Sequence, residues 1–501
     1  MSAVASHRAP ASRLDRELDA YLPGVLLRHL AETPDATVRT LDGTVLFTDI
    51  SGFTALSERL ARGGREGAEE LVEAIDRSFN ALLEVAHGHG ASVLKFAGDA
   101  LLLLFDGPGH LARGCASAVG MRRSLREVGR LETSAGKATL RMSQGLHSGE
   151  LHLFVVGSSH RELIFAGPGA TAMALMEKAA DAGQILVSPE TAARLPGRCI
   201  GAAKGQARIL VAAPPVPDEP LASFALPAPE LVAAGLSTEV RAHLVAGPQP
   251  PEHRHVTAAF VRYAGTDALL ARNGPDAVAA ALGELVTCVQ RAADEHQVCF
   301  LESDVDADGG KLMLTAGAPR MVGDDEDRML LALRDIIAIE SPLAISAGVN
   351  RGTVFCGDVG PPLRRSYSVM GDAVNLTARV ASKAPPGEIY ATGGVLERSA
   401  TRFATVELAS FSVKGKKRKV QAWAVGEAVG SRARDGVALR FPFVGRDDEL
   451  TLLEEALEAV RKGAGRLVVI SGEAGIGKTR LAEELRERAT GMTRLRATCE
   501  A

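Results

Sequence analysis

Gly43-Thr-Val-Leu-Phe-Thr-Asp-Ile-Ser-Gly-Phe53 and Val93-Leu-Lys-Phe-Ala-Gly-Asp-Ala-Leu-Leu-Leu-Leu-Phe105 each read as an apolar strand carrying one acid, Asp49 in the first and Asp99 in the second. A carboxylate at the end of a buried strand, followed by a Ser-Gly turn with free backbone amides, offers hard oxygen ligands where phosphate oxygens can complete the shell of a divalent ion. A lone strand-end aspartate is more often a turn cap or an ion-pair partner; two in matching settings point to a metal. The chain then repeats itself at offsets of about 200–215 residues. Phe260-Val-Arg-Tyr-Ala-Gly265 answers Phe47-Thr-Asp-Ile-Ser-Gly52, Gly309-Gly-Lys-Leu-Met-Leu-Thr315 answers Gly98-Asp-Ala-Leu-Leu-Leu-Leu104, and Ser346-Ala-Gly-Val-Asn-Arg-Gly352 answers Ser143-Gln-Gly-Leu-His-Ser-Gly149. Arg262 thus stands where the first copy has Asp49, and Gly310 where it has Asp99, so the second copy has lost both carboxylates.

The second copy carries Val369-Met-Gly-Asp-Ala-Val-Asn-Leu-Thr-Ala-Arg379, where the first reads Phe165-Ala-Gly-Pro-Gly-Ala-Thr-Ala-Met-Ala-Leu175. On a helix predicted from Asp372 onward, Asn375 and Arg379 are four apart and share a face. An amide that orients a ribose and a guanidinium that meets charge growing on a phosphate suit an in-line displacement, in which positioning and electrostatics carry most of the catalysis. Each copy keeps what the other lacks.

These motifs resemble the class III nucleotidyl cyclases, the adenylyl and guanylyl cyclases. The resemblance implies an α+β fold: two ferredoxin-like cyclase domains forming an internal pseudo-dimer, so that a monomer suffices, with one active site at their interface. It implies conversion of ATP to 3′,5′-cyclic AMP and pyrophosphate with two Mg²⁺ or Mn²⁺ ions. Asp49, Asp99 and the main-chain carbonyl of Ile50 become the implied metal ligands. Asn375 and Arg379 become the ribose and transition-state contacts. Lys414, in Val413-Lys-Gly-Lys-Lys-Arg-Lys-Val420, and Arg141 become phosphate contacts.

Base choice follows hydrogen-bond chemistry: a lysine selects adenine, whereas a carboxylate suits the N1–H and N2–H donors of guanine. By resemblance the adenine-facing lysine falls three residues before Gly309, where this chain has Asp306; its partner position is Ser368, similar to the Thr or Ser of the bacterial and soluble adenylyl branch. The tandem architecture makes ATP the expected substrate, with guanylate cyclase or a catalytically weak nucleotide sensor as alternatives. Lys95 matches the lysine of bicarbonate-sensing relatives, but the arginine that completes their pocket is replaced by Ala174 or Leu175, so bicarbonate is not expected to activate.

Composition sets the setting. Over 501 residues, 46% apolar and 24% charged with net charge −4, the chain resembles an ordinary multi-domain globular protein and gives no electrostatic reason for a nucleic-acid or membrane partner. The six cysteines lack Cys-x-x-Cys spacing, which favours a reducing, cytoplasmic environment, and no apolar run approaches the ~20 residues of a spanning helix. Proline clusters from Pro214 to Pro251 read as a semi-rigid linker. The expected division is an N-terminal helical segment (1–38), a first cyclase domain (39–213), the linker (214–254), a second cyclase domain (255–428) and a third unit (440–501).

That third unit holds Arg466-Leu-Val-Val-Ile-Ser-Gly-Glu-Ala-Gly-Ile-Gly-Lys-Thr-Arg480, a predicted strand, then Gly-x-x-x-x-Gly-Lys-Thr, then a helix. This is the context of a P-loop: Gly472 and Gly477 let the backbone cradle phosphates, Lys478 reaches the β/γ oxygens and Thr479 the Mg²⁺. The expectation is an α/β P-loop unit that is incomplete in this chain, resembling the front of the ATPase domains that follow tandem cyclase domains.

Overall fold

The computed structural model describes residues 18–52, 56, 59–60, 64–97, 100–220, 224–247, 249–361, 364–412, 419–431, 445–471 and 477–493. The chain divides into two compact units, Met1–Gly430 and Ser431–Ala501.

The first copy contributes β1 (Val38–Ser51), β2 (Ser92–Ala97), β3 (Ala100–Asp106), β4 (Arg130–Thr133), β5 (Gly136–Thr139), β6 (Arg141–Val156), β7 (Glu162–Ala166), β8 (Ile185–Val187), β9 (Ile200–Lys204) and β10 (Ala207–Leu210). Its sheet runs β2-β3-β1-β6-β8-β10-β9, with β7 also paired to β6 and β4–β5 forming a separate hairpin. The second copy contributes β11 (Glu252–Ala264), β12 (Cys299–Asp306), β13 (Gly309–Ala316), β14 (Ala344–Val359), β15 (Ser366–Met370), β16 (Ile389–Thr392), β17 (Thr401–Glu407) and β18 (Ala422–Ser431). Its sheet repeats the order as β12-β13-β11-β14-β16-β18-β17, with β15 on β14. The predicted α+β duplication is therefore the architecture found.

Alternation along β1 sorts its side chains between two cores. Leu46 and Ile50 pack with Phe79 and Leu82 of helix Gly64–Gly88 and with Cys115 and Met121 of helix His110–Val128. Val45 and Phe47 face the other way, into a cluster shared with Val256, Ala258, Phe260 and Met313 of the second copy. The two copies are thus joined by apolar sheet faces.

The linker differs from expectation. It forms two short helices, Pro229–Ala233 and Thr238–Val245, and β11 already begins at Glu252, opposite Cys356. Val232, Leu236 and Val240 recur at helical spacing and are buried in the shared cluster beside Val25, Leu26 and Leu30 of the N-terminal helix Gly24–Glu32. Apolar burial here overrides the proline signal. No helix among the described residues is long and apolar enough to cross a membrane.

In the unit Ser431–Ala501, helices Asp447–Arg461 and Lys478–Arg488 share a small core of Leu450, Leu453 and Leu481. The strand expected at 466–471 does not form: Leu467 is 91% and Val469 80% exposed. A buried parallel strand needs neighbours on both sides, and the described residues of this unit supply none.

Candidate active site

Strand register fixes which residues of the two copies correspond. Asp49 lies half-buried near the end of β1, opposite Ala100 on β3 and Ser143 on β6. Arg262 lies at the same place on β11, opposite Lys311 and Ser346. Asp49 shares its strand face with Val45 and Phe47, and so looks toward the second copy; Ile50 is fully buried on the helix-covered face. Arg141 opens β6, exposed, with its register partner Ser51 two residues beyond Asp49. Asp99, Lys414 and Gly472 lie outside the described residues, as does the side chain of Thr479. Among the described residues no group of three or more His, Cys, Asp or Glu side chains gathers to hold a metal; of the two expected carboxylates only Asp49 is described.

In the second copy Gly371 (φ 144°) turns the chain from β15 into helix Asp372–Ala381, as predicted. Asn375 and Arg379 are half-buried on it, whereas Thr377, Val380 and Ala381 anchor the helix. Ser368, 6% exposed, pairs with Gly357 on the preceding ladder. The matching glycine of the first copy is Gly167, capping helix Pro168–Ala179, which makes Thr171 and Leu175 the counterparts of Asn375 and Arg379. The choice between Ala174 and Leu175 is thereby settled for Leu175.

The position expected to face the purine needs correction. Both copies carry a bulge at the same point of the edge strand, between Val93 and Lys95 on β2 and between Phe300 and Glu302 on β12. Lys95 pairs with Leu102, and Glu302 with Met313, the residue that answers Leu102 on β13. Glu302, not Asp306, is therefore the counterpart of Lys95. Lys95 and Leu102 are seven apart in the chain and Glu302 and Met313 eleven, so the second hairpin is four residues longer, which a residue count back from Gly309 cannot register. Asp306 instead binds Arg262 at 3.0 Å, and Lys311 pairs with Asp304 at 2.8 Å beneath the Phe260 ring.

The structure also gathers charged groups that sequence reading missed. Lys95 donates to Glu162 of β7 at 2.9 Å and to the Ser303 hydroxyl of β12, crossing between the copies. Ser303 N–H also reaches Glu162, at 3.2 Å, and His160 lies 3.6 Å from it. Burial alone would raise the Glu162 carboxyl, but Lys95 and these donors hold it well below the usual carboxylate range. Glu302 lines the same cavity of about 90 Å³, with Arg364 and Tyr367. Burial, and then Asp304, push its carboxyl up to about 8, with Lys95 opposing. Lys95 and Glu162 are 67 residues apart, and no local pattern announces their pairing.

Comparison with known proteins agrees with this geometry. Residues 38–210 and 249–426 match the adenylate and guanylate cyclase catalytic domain, and residues 442–501 an AAA ATPase domain. The chain is similar to adenylate cyclase type 10 of rabbit, 23% identical over 538 residues that cover 94% of this chain and 32% of that protein. The human form is 25% identical over 416 residues, 72% of this chain and 25% of that one. The chain thus spans about a third or less of the length of these relatives. Among solved structures, a class III adenylyl cyclase-like ATP-binding protein from Pseudomonas aeruginosa aligns with a TM-score of 0.52 at 14% identity, covering 78% of this chain and 93% of that one. That likeness is one of fold.

Proposed function

The chain belongs to the adenylate and guanylate cyclase catalytic domain family, and from that premise we propose that it is an adenylate cyclase, forming 3′,5′-cyclic AMP and pyrophosphate from ATP at one site between its two copies. The observation that carries this reading is complementary loss. Asp49 survives on the first copy's face toward the second, whereas its counterpart Arg262 is spent on Asp306. Asn375 and Arg379 survive on the second copy, whereas their counterparts are Thr171 and Leu175. Only one pairing of halves contains a full set.

Asp49 is a hard oxygen donor, half-buried at a strand end, and this chemistry fits Mg²⁺ or Mn²⁺. Held by Asp49, Asp99 and the Ile50 carbonyl, such ions would lower the pKa of the ribose 3′-hydroxyl and offset charge on the departing pyrophosphate. Asn375 would orient the ribose so that the 3′-oxygen lies in line with the α-phosphorus. Arg379 would meet the charge that grows on the α-phosphate, an interaction stronger in the transition state than in bound ATP. Lys414 and Arg141 remain the proposed contacts to the outer phosphates.

By register Glu302 holds the position expected to face the purine, and on that correspondence it would bear on the base. Protonated, a carboxyl offers one O–H donor and one acceptor, complementing N1 and the N6 amino group of adenine; ionised, it accepts only, complementing N1–H and N2–H of guanine. A carboxyl pushed up to about 8 is mostly neutral at pH 7, which supports ATP. The same residue favours guanylate cyclase activity as a second reading once it ionises. The test is turnover of ATP and GTP side by side with Mg²⁺ or Mn²⁺: cyclic AMP as the main product at pH 7 is expected, and no metal-dependent cyclic nucleotide from either substrate refutes the assignment.

A further inference from the structure

A basic cavity adjoins the proposed cleft and shares Arg141 with it. A cavity of about 380 Å³ opens in the first copy between the end of helix His110–Val128 and the start of β6, and Arg122, Arg126, Arg130 and Arg141 line it without a single carboxylate. None of the four makes an ion pair among the described residues; Arg122 reaches only the carbonyl of Gly183, at 3.5 Å. Burial, and then the neighbouring Arg126, push the Arg122 guanidinium below its usual range. In a chain of net charge −4 such a cluster is no reflection of a generally basic surface.

Guanidinium groups recognise phosphate through paired N–H donors, and several in one concavity suit a ligand carrying several negative charges. The volume lies at the low end of small-ligand sites, about 300–1,000 Å³, and exceeds what one phosphate fills. Arg141 ties the cavity to the reaction: it stands two residues along β6 from Ser143, the register partner of Asp49, a separation of about 7 Å along a strand. We propose that this four-arginine cavity is a polyphosphate site, taking a compact anion of the pyrophosphate or triphosphate class beside the metal-binding end of β1. That the anion would be the reaction's own pyrophosphate rests on the function proposed above; the anion site itself does not.

The test is isothermal titration of the full chain in EDTA at about 0.15 M ionic strength with sodium pyrophosphate, sodium tripolyphosphate and α,β-methylene-ATP as probes. Without divalent metal the catalytic cleft is disabled, so its failure and that of the anion site are separable. One saturable site is expected, weakened at least about tenfold in the double variant Arg122→Gln/Arg126→Gln and unchanged in Asp49→Asn. A melting experiment gives an independent readout with the opposite sign: without anion the double variant should melt at or above the wild type, because like-charge repulsion is relieved, yet only the wild type should gain on adding pyrophosphate. Pyrophosphate binding without the nucleotide analogue would assign the site to released product; binding of both would assign it to the polyphosphate group of either. Absence of saturable binding by all three probes, equal affinity in the double variant, or loss of binding in Asp49→Asn overturns the proposal.

Discussion

If Glu302 meets the base as proposed, the purine preference becomes a function of pH, and the size of the effect can be worked out. With its carboxyl pushed up to about 8, the residue passes from mostly neutral at pH 7 to mostly ionised at pH 9. Of its charged neighbours, Glu162 is held ionised far below this window, Lys311 is raised by Asp304 against the effect of its burial, and burial pushes Arg364 down to about 10, above it. If the neutral form accepts ATP and the ionised form GTP, the ratio of kcat/KM for GTP to that for ATP follows the ratio of ionised to neutral Glu302. That ratio changes about tenfold per pH unit, so the preference should move toward GTP by about 100-fold between pH 7 and pH 9. The rise stops at the discrimination that paired hydrogen bonds can give, about 10⁴–10⁵.

The assay is competitive turnover of equimolar ATP and GTP, with both cyclic products quantified from one reaction. Titration of triphosphate and metal then affects both substrates alike and cancels in the ratio. In Glu302→Gln the carboxamide keeps a donor and an acceptor but cannot ionise, so ATP should remain preferred and the ratio should be flat with pH. A flat ratio in the wild type, or an equal slope in Glu302→Gln, refutes the placement of Glu302 against the base.

Three other outcomes test the remaining assignments. Asp49→Asn should lower turnover by several orders of magnitude, while Arg262→Ala spares it; the Arg262–Asp306 pair is partly exposed, so its loss should shift stability by no more than about 1 kcal/mol in urea unfolding. Asn375→Ala and Arg379→Ala should each cut kcat by about 10²-fold with little change in KM in steady-state kinetics, and a mutant that mainly raises KM would reassign that residue to ground-state binding. Lys95→Ala leaves Glu162 without its cation and should destabilise by about 3–5 kcal/mol, much of it regained in Lys95→Ala/Glu162→Gln. Because the Glu162 carboxyl lies below its unfolded value, its stabilisation is present above about pH 4.3 and lost on acidification, so the gap between wild type and Lys95→Ala should narrow in acid melts.

The sequence made the duplication legible because strands with a buried face tolerate little slippage. Each quoted segment kept its alternation, so offsets read from the chain agree with the ladders that set Asp49 opposite Ala100 and Arg262 opposite Lys311. The helix carrying Asn375 and Arg379 was legible from its glycine and its spacing. What failed was counting through a hairpin: four extra residues in β12–β13 displaced the lysine position from Asp306 to Glu302, and only the shared bulge revealed it. The packed linker helices were hidden by prolines, because burial of Val232, Leu236 and Val240 depends on an N-terminal helix about two hundred residues earlier. The exposed segment at 466–471 shows the converse, a strand-like pattern without partners to pair with.

The charges show how the interface between the copies is balanced where each copy has lost groups the other keeps. A charge at a copy interface is costly unless it is paired. Where the second copy lost its acids, Arg262 and Lys311 are neutralised within the chain by Asp306 and Asp304, which the longer hairpin supplies. Where the first copy lost its arginine, Lys95 is neutralised by Glu162. An external anion such as bicarbonate would have to displace a carboxylate that Lys95, Ser303 and His160 already hold. Saturable activation by sodium bicarbonate of more than about twofold over equimolar chloride at fixed pH, roughly 0.4 kcal/mol in barrier, and abolished in Lys95→Ala, would show that this pair opens in solution. The expected result is no such activation, because the anion that pocket needs is built into β7.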